Sequence, residues 1–221
     1  MDEKRDLKVK VCGMRERGNI DAVCATLPDF LGFIFYPKSK RFVGETPDES
    51  IFNRVPAHIE KVGVFVNEEA AVVIDSCQQY GLVVAQLHGS ETPDYCRDIR
   101  NAGLTVFKAF SLNEDFDFGQ LDGFAASVDF FLFDTKGKLP GGTGEKFNWQ
   151  LLDRYTGNVP FFLSGGIGPE DAPEIKKISH PHLIGIDINS GFELKPALKD
   201  AGKVAGFMKE IRNYRTNRDD T

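Results

Sequence analysis

Short hydrophobic runs rich in β-branched and aromatic residues recur along the chain, and each is followed by a segment whose hydrophobic positions have helical spacing. Eight such runs begin about 25 residues apart. Their composition is typical of buried strands, and their alternation with helical segments predicts repeated βα units around a parallel sheet. The predicted strands span residues 8–12, 30–35, 61–66, 82–87, 104–110, 129–133, 159–163 and 183–188.

The segments between these runs carry helix signals. Thr92, Pro93 and Asp94 supply an N-cap, a proline at the first helical position and an acidic residue in the first turn, and Gly103 closes that helix. Residues 168–171 open another helix in a similar way. The fifth helix, residues 114–127, has the weakest pattern because glycines interrupt it. Apolar residues at i, i+3, i+4 and i+7 spacing are Ile20, Val23, Cys24 and Leu27, and Val204, Phe207, Met208 and Ile211.

Eight strands alternating with eight helices predict a (β/α)8 barrel, the TIM-barrel class of α/β folds. A doubly wound open sheet is the structural alternative. No Pro/Ser-rich linker or composition break divides the 221 residues, so we expect one domain over the whole chain. The barrel would occupy about residues 8–211, followed by a polar tail at 213–221.

Composition and charge exclude several classes of protein. With 41% hydrophobic residues and a net charge of −6, the chain is typical of a folded soluble domain and not of a nucleic-acid binder. No apolar run approaches the roughly 20 residues that cross a bilayer, and the charged N-terminus lacks the apolar core of a signal peptide. The four cysteines have neither paired nor CxxC spacing, which argues against zinc and disulfide frameworks and favours a reducing cytoplasm.

Active sites of (β/α)8 barrels lie at the carboxyl ends of the strands, and this rule singles out a glycine-rich loop at residues 164–168. The loop leads into a predicted helix, so that backbone N–H groups and a helix N-terminus would converge there. Loops after strands seven and eight form phosphate sites in many barrels. We therefore expect backbone groups of Gly165, Gly166, Ser190 and Gly191 to bind a phosphate, unless these glycines only make tight turns.

Three titratable residues end predicted strands. Asp134 follows four apolar residues, and a dry barrel mouth would keep its carboxyl protonated as a general acid, unless it only caps the next loop. Cys12 ends strand one near Lys10, where a polar cleft could support a thiolate base, although a structural thiol is the alternative. The other three cysteines fall within predicted helices. His88 could be catalytic, substrate-binding or structural.

A second glycine-rich stretch, residues 136–144, follows predicted strand six. It lacks the Gly-Lys-Ser/Thr ending of a nucleotide P-loop, so nucleotide binding is not predicted. We expect instead a flexible lid that closes over the substrate.

Together these motifs resemble those of the phosphoribosylanthranilate isomerases, (β/α)8 enzymes of tryptophan biosynthesis. The matching segments occur in the family's order from residue 8 to about residue 211, and eight in order are highly specific although none is diagnostic alone. They are Lys10–Gly13, Gly32–Phe35 with Ser39–Arg41, Val62–Asn67, Gln86–Gly89, Phe133–Thr135, Gly141–Gly144 with Phe147 and Trp149, Leu163–Ile167, and Asp187–Gly191 with Glu193.

The resemblance implies an Amadori rearrangement of N-(5-phosphoribosyl)anthranilate to 1-(o-carboxyphenylamino)-1-deoxyribulose 5-phosphate. It implies that Cys12 is the base, Asp134 the acid and Arg41 the ligand of the anthranilate carboxylate. Asp187 matches the family's strand-eight aspartate, and we place it with His88 among the substrate-binding residues. No metal or organic cofactor is expected, because the anthranilate nitrogen and its iminium supply the electron sink. The expected partner is a small phosphosugar substrate, with no nucleic acid or membrane, and the expected assembly is a monomer or homodimer.

Other functions fit the sequence less well. A ribulose-phosphate epimerase-like enzyme would need metal-binding His and Asp clusters, and the four histidines are poorly placed for that. A decarboxylating indole-glycerol-phosphate synthase would need a lysine pair and an N-terminal extension. A non-catalytic ligand-binding barrel is disfavoured by the presence of both Cys12 and Asp134. A dual role in histidine biosynthesis usually pairs two catalytic aspartates, so Cys12 favours the single tryptophan-pathway substrate.

Overall fold

The computed structural model describes residues 7–135 and 149–212, and within them eight parallel strands pair in chain order and close into a barrel. The strands are β1 (Lys8–Cys12), β2 (Phe30–Ile34), β3 (Glu60–Phe65), β4 (Val84–Leu87), β5 (Thr105–Leu112), β6 (Phe130–Thr135), β7 (Phe161–Ser164) and β8 (Leu183–Ile188). Strand β8 pairs with β1, where Asp187 lies opposite Lys10. The predicted (β/α)8 barrel is confirmed, and the doubly wound alternative is wrong.

Helices and short 3₁₀ turns cover the outside of the barrel. The α-helices in the described residues are α1 (Arg17–Cys24), α2 (Ser50–Asn53), α3 (Ala70–Tyr80), α4 (Pro93–Asn101), α5 (Ala172–Ile175) and α6 (Ala201–Arg212). The 3₁₀ turns span Phe118–Phe124, Trp149–Arg154, Pro169–Asp171 and Ser190–Phe192, and the last leads into a hairpin of β9 (Glu193–Lys195) and β10 (Leu198–Lys199). Within the described residues, 3₁₀ turns replace the predicted fifth helix and begin the predicted seventh.

Local signals explain where the helix predictions hold and where they fail. The side chain of Thr92 accepts a hydrogen bond of 3.2 Å from the backbone N–H of Tyr95, as an N-cap should. Leu27 was expected on the buried face of the first helix, but α1 ends at Cys24 and Leu27 is 52% exposed with a φ of 58°. The apolar spacing continues past the end of α1, because the chain turns towards β2 at Leu27.

Alternate residues of each strand point into the barrel, as the two-residue period of a strand requires. The lower interior is filled by aromatic rings with centroids between 5.0 and 5.9 Å apart. Those rings belong to Phe30, Phe107, Phe130 and Phe162. This plug closes the amino-terminal end, and the outward residues form the core beneath the helices. Polar side chains are therefore concentrated at the carboxyl-terminal end of the barrel interior.

The predicted lid at residues 136–144 and the polar tail at 213–221 lie outside the described residues. Among the helices that are described, none has the length and apolar character needed to cross a bilayer.

Candidate active site

A cavity of about 380 Å³ lies at the carboxyl end of the barrel and collects most of the predicted site residues. Eight of the nine predicted residues line it, namely Cys12, Arg41, His88, Asp134, Gly165, Gly166, Asp187 and Ser190. Gly191 is outside the lining, because it packs against the neighbouring loop, where a Cβ would come within 2.4 Å of the carbonyl oxygen of Ile167. One cavity thus unites residues from six strand ends.

Cys12 and Lys10 share the inward face of β1 because they are two residues apart. Lys10 is fully buried, and its Nζ donates to Asp187 Oδ2 on the neighbouring strand β8 at 2.9 Å. The Lys10 ammonium also lies near the Cys12 thiol, since both approach the same point beside Gly32, and the two groups interact electrostatically. A buried ammonium needs such partners, since an unpaired charge in the interior is strongly unfavourable.

The thiol of Cys12 lines the polar cavity but is itself largely buried. The residue is 4% exposed, and burial raises its pKa above the ordinary value, although Lys10 opposes this rise. Burial therefore favours the neutral thiol, and a thiolate depends on the neighbouring cations. The cysteines on α1, α3 and α4 do not line the cavity.

Arg41 already holds a carboxylate of the protein. Its Nε and Nη2 donate to the two carboxylate oxygens of Glu193 at 2.8 and 2.6 Å. The buried Lys199 donates to Glu193 at 2.6 Å and to the side chain of Asn189, a cavity residue, at 2.8 Å. The guanidinium therefore has a fixed orientation at the cavity wall, with Nη1 bonded to none of the described residues.

His88 and Asp134 face each other across the cavity from β4 and β6. His88 Nε2 lies 3.6 Å from Asp134 Oδ2, and its Nδ1 lies 3.4 Å from Gln86 Nε2. The Asp134 side chain is 15% exposed, so the dry environment expected from its apolar neighbours is only partly realised. The histidine ring lies between the side chains of Gln86 and Asp134. It therefore belongs to the cavity lining and not to the packed core.

Two buried acceptor atoms at the cavity have no donor. They are Gln86 Oε1 and Asp187 Oδ1, each without a hydrogen-bond partner among the described residues. A buried acceptor left unpaired costs about 1–3 kcal/mol, so native structures rarely keep one without a ligand or water. Both residues line the same cavity. The arrangement is therefore suited to a ligand that carries several hydroxyl or N–H donors.

The glycine-rich loop after β7 offers backbone donors, but not in the predicted way. Gly165 and Gly166 have φ values of 95° and 64°, which favour glycine and turn the loop over the cavity. No described residue accepts a hydrogen bond from the N–H of Gly166 or Ile167. The helix predicted after this loop begins as a 3₁₀ turn at Pro169 and continues as α5, and the N–H of Gly168 at its N-cap donates to Asp171 Oδ2 at 2.8 Å.

Sequence reasoning missed the polar groups that support these residues. Gln86 and Glu193 occur in the matching motifs without an assigned role, and no local pattern points to Lys199. Their roles depend on contacts between strand ends far apart in the chain, such as Arg41 with Glu193. The two-residue spacing of Lys10 and Cys12 on one strand was the one local signal that could have placed a cation beside the thiol. Among the described residues, no group of three or more His, Cys, Asp or Glu side chains is arranged to hold a metal ion.

Comparisons with known proteins agree with this geometry. Residues 9–210 match the family model described as N-(5'-phosphoribosyl)anthranilate (PRA) isomerase. An N-(5'-phosphoribosyl)anthranilate isomerase of Parabacteroides distasonis is 43% identical, and the match covers 92% of each chain. A crystal structure of phosphoribosyl anthranilate isomerase in complex with reduced 1-(o-carboxyphenylamino)-1-deoxyribulose 5-phosphate superposes with a TM-score of 0.79 and 29% identity, covering 94% of this chain and 99% of that one. Monomers generated from the dimeric enzyme of Thermotoga maritima give a TM-score of 0.75 at 29% identity, covering 93% and 98%.

Proposed function

The chain belongs to the N-(5'-phosphoribosyl)anthranilate isomerase family, and from that premise we propose how its own residues carry out the reaction. The enzyme converts N-(5-phosphoribosyl)anthranilate to 1-(o-carboxyphenylamino)-1-deoxyribulose 5-phosphate, a step of tryptophan biosynthesis. The substrate is a phosphosugar with an aromatic carboxylate. The observation that carries our assignment is the single cavity lined by Cys12, Asp134, Arg41 and the glycine loop.

We assign the acid role to Asp134 and the base role to Cys12. Asp134 protonates the furanose ring oxygen while the anthranilate nitrogen lone pair opens the ring and forms an iminium at C1. The Cys12 thiolate then removes the proton from C2, and the C–H electron pair moves into the C1–C2 bond. The resulting enolamine tautomerises to the ketone. Because the substrate nitrogen provides the electron sink, the scheme uses no metal or organic cofactor.

The remaining residues bind the substrate in our assignment. Arg41 offers Nη1 to the anthranilate carboxylate while Glu193 keeps its guanidinium in place. The unpaired acceptors of Gln86 and Asp187 receive hydrogen bonds from sugar hydroxyl groups. His88 lies beside Asp134 and orients both that carboxyl group and the ring it protonates. The two unpaired buried acceptors at the cavity thus each have a substrate partner.

The phosphate binds at the other end of the cavity, above β7 and β8. Backbone groups of Gly165, Gly166, Ser190 and Gly191 form this subsite in our proposal. The N–H groups of Gly166 and Ile167, which have no acceptor among the described residues, support it. A close backbone approach suits a phosphate because several N–H dipoles can point at its oxygens without a side chain intervening.

A steady-state assay with N-(5-phosphoribosyl)anthranilate tests the assignment of acid and base. Asp134→Asn and Cys12→Ser should each lower kcat by roughly 10²–10⁴ with little change in KM, because each removes a proton-transfer group and keeps the side-chain size. Cys24→Ala, a buried cysteine of α1, should leave both constants unchanged. Wild-type kcat in either catalytic variant would refute its role. An inactive wild-type chain that still binds the product would instead support a non-catalytic barrel.

Three broader features are also proposals. We propose that residues 8–211 act as one barrel domain and that the enzyme works as a monomer or homodimer, since one relative is dimeric. We place it in the cytoplasm, because all four cysteines are free thiols, as in proteins of reducing compartments. Sedimentation at several protein concentrations would distinguish the two assemblies.

A further inference from the structure

Lys10 has no part in the reaction described above, although its ammonium is buried beside the base. Its side chain is fully buried, it donates to Asp187 Oδ2 at 2.9 Å, and its ammonium interacts electrostatically with Cys12. The thiol and the ammonium converge on Gly32 of β2, where a Cβ would lie 2.8 Å from Cys12 Sγ and 3.2 Å from Lys10 Nζ. Glycine at this position leaves the space in which the two groups meet.

Three cations and two carboxylates lie in the Cys12 cluster, not counting His88 and Asp134. A thiolate on Cys12 would bring the sum of these five charges to zero. The groups are Lys10 on β1, Arg41 after β2, Asp187 on β8, Glu193 on β9 and Lys199 on β10, with His88 and Asp134 facing them across the cavity.

Lys10 differs from the other two cations in its partners. Arg41 and Lys199 share the carboxylate of Glu193. Lys10 is the cation that lies beside the thiol at Gly32, and its effect opposes the rise in the pKa of Cys12 caused by burial. Asp187 acts in the other direction and raises that pKa, so the pair has opposite effects on Cys12.

We propose that Lys10 is a positioning residue whose buried ammonium holds Cys12 at the cavity wall and favours its thiolate, with Asp187 limiting this effect. The inference rests on the proposed role of Cys12 as the base. Lys10 keeps its three protons throughout: the C–H bond at sugar C2 breaks, an S–H bond forms on Cys12, and no proton passes through the ammonium. A cation beside a thiolate stabilises it by charge and hydrogen bonding.

The test measures the titration of Cys12 without relying on turnover. The rate of iodoacetamide reaction at Cys12 is followed as a function of pH by peptide mapping, for the wild type, Lys10→Met and Asp187→Asn. Lys10→Met should raise the titration midpoint by ~1 unit or more, because an adjacent cation is lost. Asp187→Asn should lower it. The acid limb of the kcat profile should move in the same direction as the midpoint in Lys10→Met.

The chain contains a matched control. Lys108 on β5 is also buried and paired, with Nζ 3.1 Å from Glu91 Oε2, but it does not contact Cys12. Lys108→Met should therefore lose stability without moving the Cys12 midpoint. The remaining cysteines form a low background, because burial raises the pKa of Cys24 and Cys96 to about 11 and that of Cys77 to about 12.

The outcomes separate this inference from the function it rests on. An unchanged midpoint in Lys10→Met, or shifts of the same sign in Lys10→Met and Asp187→Asn, would overturn the role of Lys10 even if Cys12→Ser is inactive. An active Cys12→Ser enzyme would overturn the base assignment even if the midpoint moves. If Lys10→Met does not fold, the Asp187→Asn midpoint decides: a decrease supports the opposed pair, and no change refutes it.

Discussion

At the scale of single residues, the site is built from charged groups that bind each other before any substrate arrives. Arg41 shows the consequence most clearly. The sequence suggests a planar fork free to take the anthranilate carboxylate through two parallel hydrogen bonds, but Glu193 occupies Nε and Nη2. In our proposal, the substrate carboxylate therefore meets Nη1 and the positive charge. Arg41 is thus an oriented donor whose geometry depends on Glu193.

Replacing Arg41 with lysine tests this view. Arg41→Lys keeps the charge but cannot bind Glu193 and the substrate through separate nitrogens of one plane. We expect kcat/KM to fall about tenfold or more, equivalent to about 1.4 kcal/mol. A product analogue without the aromatic carboxylate should bind the variant and the wild type with similar affinity.

The control for this experiment is Arg54→Lys, which alters an exposed arginine paired with Asp21 on the helical layer. Its kinetics should match the wild type. Equal losses of affinity for analogues with and without the carboxylate would show that Arg41 has only a general structural role.

At the scale of elements, the loop between β7 and the Pro169 turn decides how the phosphate is bound. The loop has two consecutive glycines in the left-handed region, and a Cβ at Gly166 would meet no other atom within 4 Å. A side chain at Gly166 would therefore find open space. The N–H of Gly168, which precedes the Pro169 turn, donates to Asp171, so in our proposal the phosphate binds to loop N–H groups.

A pair of matched variants tests the phosphate assignment. Asn and Asp both tolerate left-handed backbone better than other residues and have the same shape, so Gly166→Asn and Gly166→Asp differ chiefly in charge. If the phosphate sits above this loop, Gly166→Asp should raise KM at least tenfold above Gly166→Asn, because a carboxylate repels the phosphate dianion. Thermal unfolding should be similar for the two variants. Equal KM values would place the phosphate elsewhere.

At the scale of the whole molecule, contacts between the two ends of the described chain close the barrel. Strand β8 pairs with β1, and the side chain of Asn19 on α1 exchanges hydrogen bonds of 2.8 and 2.7 Å with the backbone of Lys199 on β10. The Lys199 side chain continues this connection to Glu193, and through it to Arg41 in the loop after β2. The active-site charges are therefore also part of the closure between the first and last βα units.

This coupling predicts a pH dependence of stability. Burial raises the pKa of Glu193, but hydrogen bonds from Arg41 and Lys199 outweigh it and leave the pKa below the ordinary 4.5. A group with a lowered folded-state pKa stabilises the fold above its unfolded pKa, and this stabilisation is lost as the pH falls through the folded value. Glu193→Gln should therefore be less stable than the wild type at pH 7, and the difference in unfolding free energy should shrink below about pH 4.5.

Urea unfolding at pH 7 and at acidic pH measures this difference. Glu174→Gln serves as the control, because Glu174 pairs with Lys177 on the surface with both side chains more than half exposed. Such exposed pairs contribute about 0–1 kcal/mol, so the control should show little change at either pH. A gap between wild type and Glu193→Gln that stays constant with pH would contradict the prediction.

The sequence by itself was sufficient for the architecture and for most of the site's membership. Eight hydrophobic runs with helical segments between them predicted the closed barrel, because strand and helix periods are local properties of the chain. The rule that active sites lie at carboxyl ends of strands then selected Cys12, Asp134, Asp187 and the glycine loop, since a barrel brings all eight strand ends to one face. The order of the motifs, through the family resemblance, suggested the roles proposed for these residues.

Only the tertiary structure decided the electrostatic state of that site. The sequence does not show that Glu193 occupies Arg41, that Lys10 meets Cys12 beside Gly32, or that burial raises the pKa of the Cys12 thiol. It also does not show that a 3₁₀ turn begins the helix after β7, with Asp171 accepting a hydrogen bond from the N–H of Gly168. These features depend on burial and on pairs as distant as 152 residues in the chain. Desolvation and long-range ion pairing arise only when the barrel closes, so no local pattern of residues can encode them.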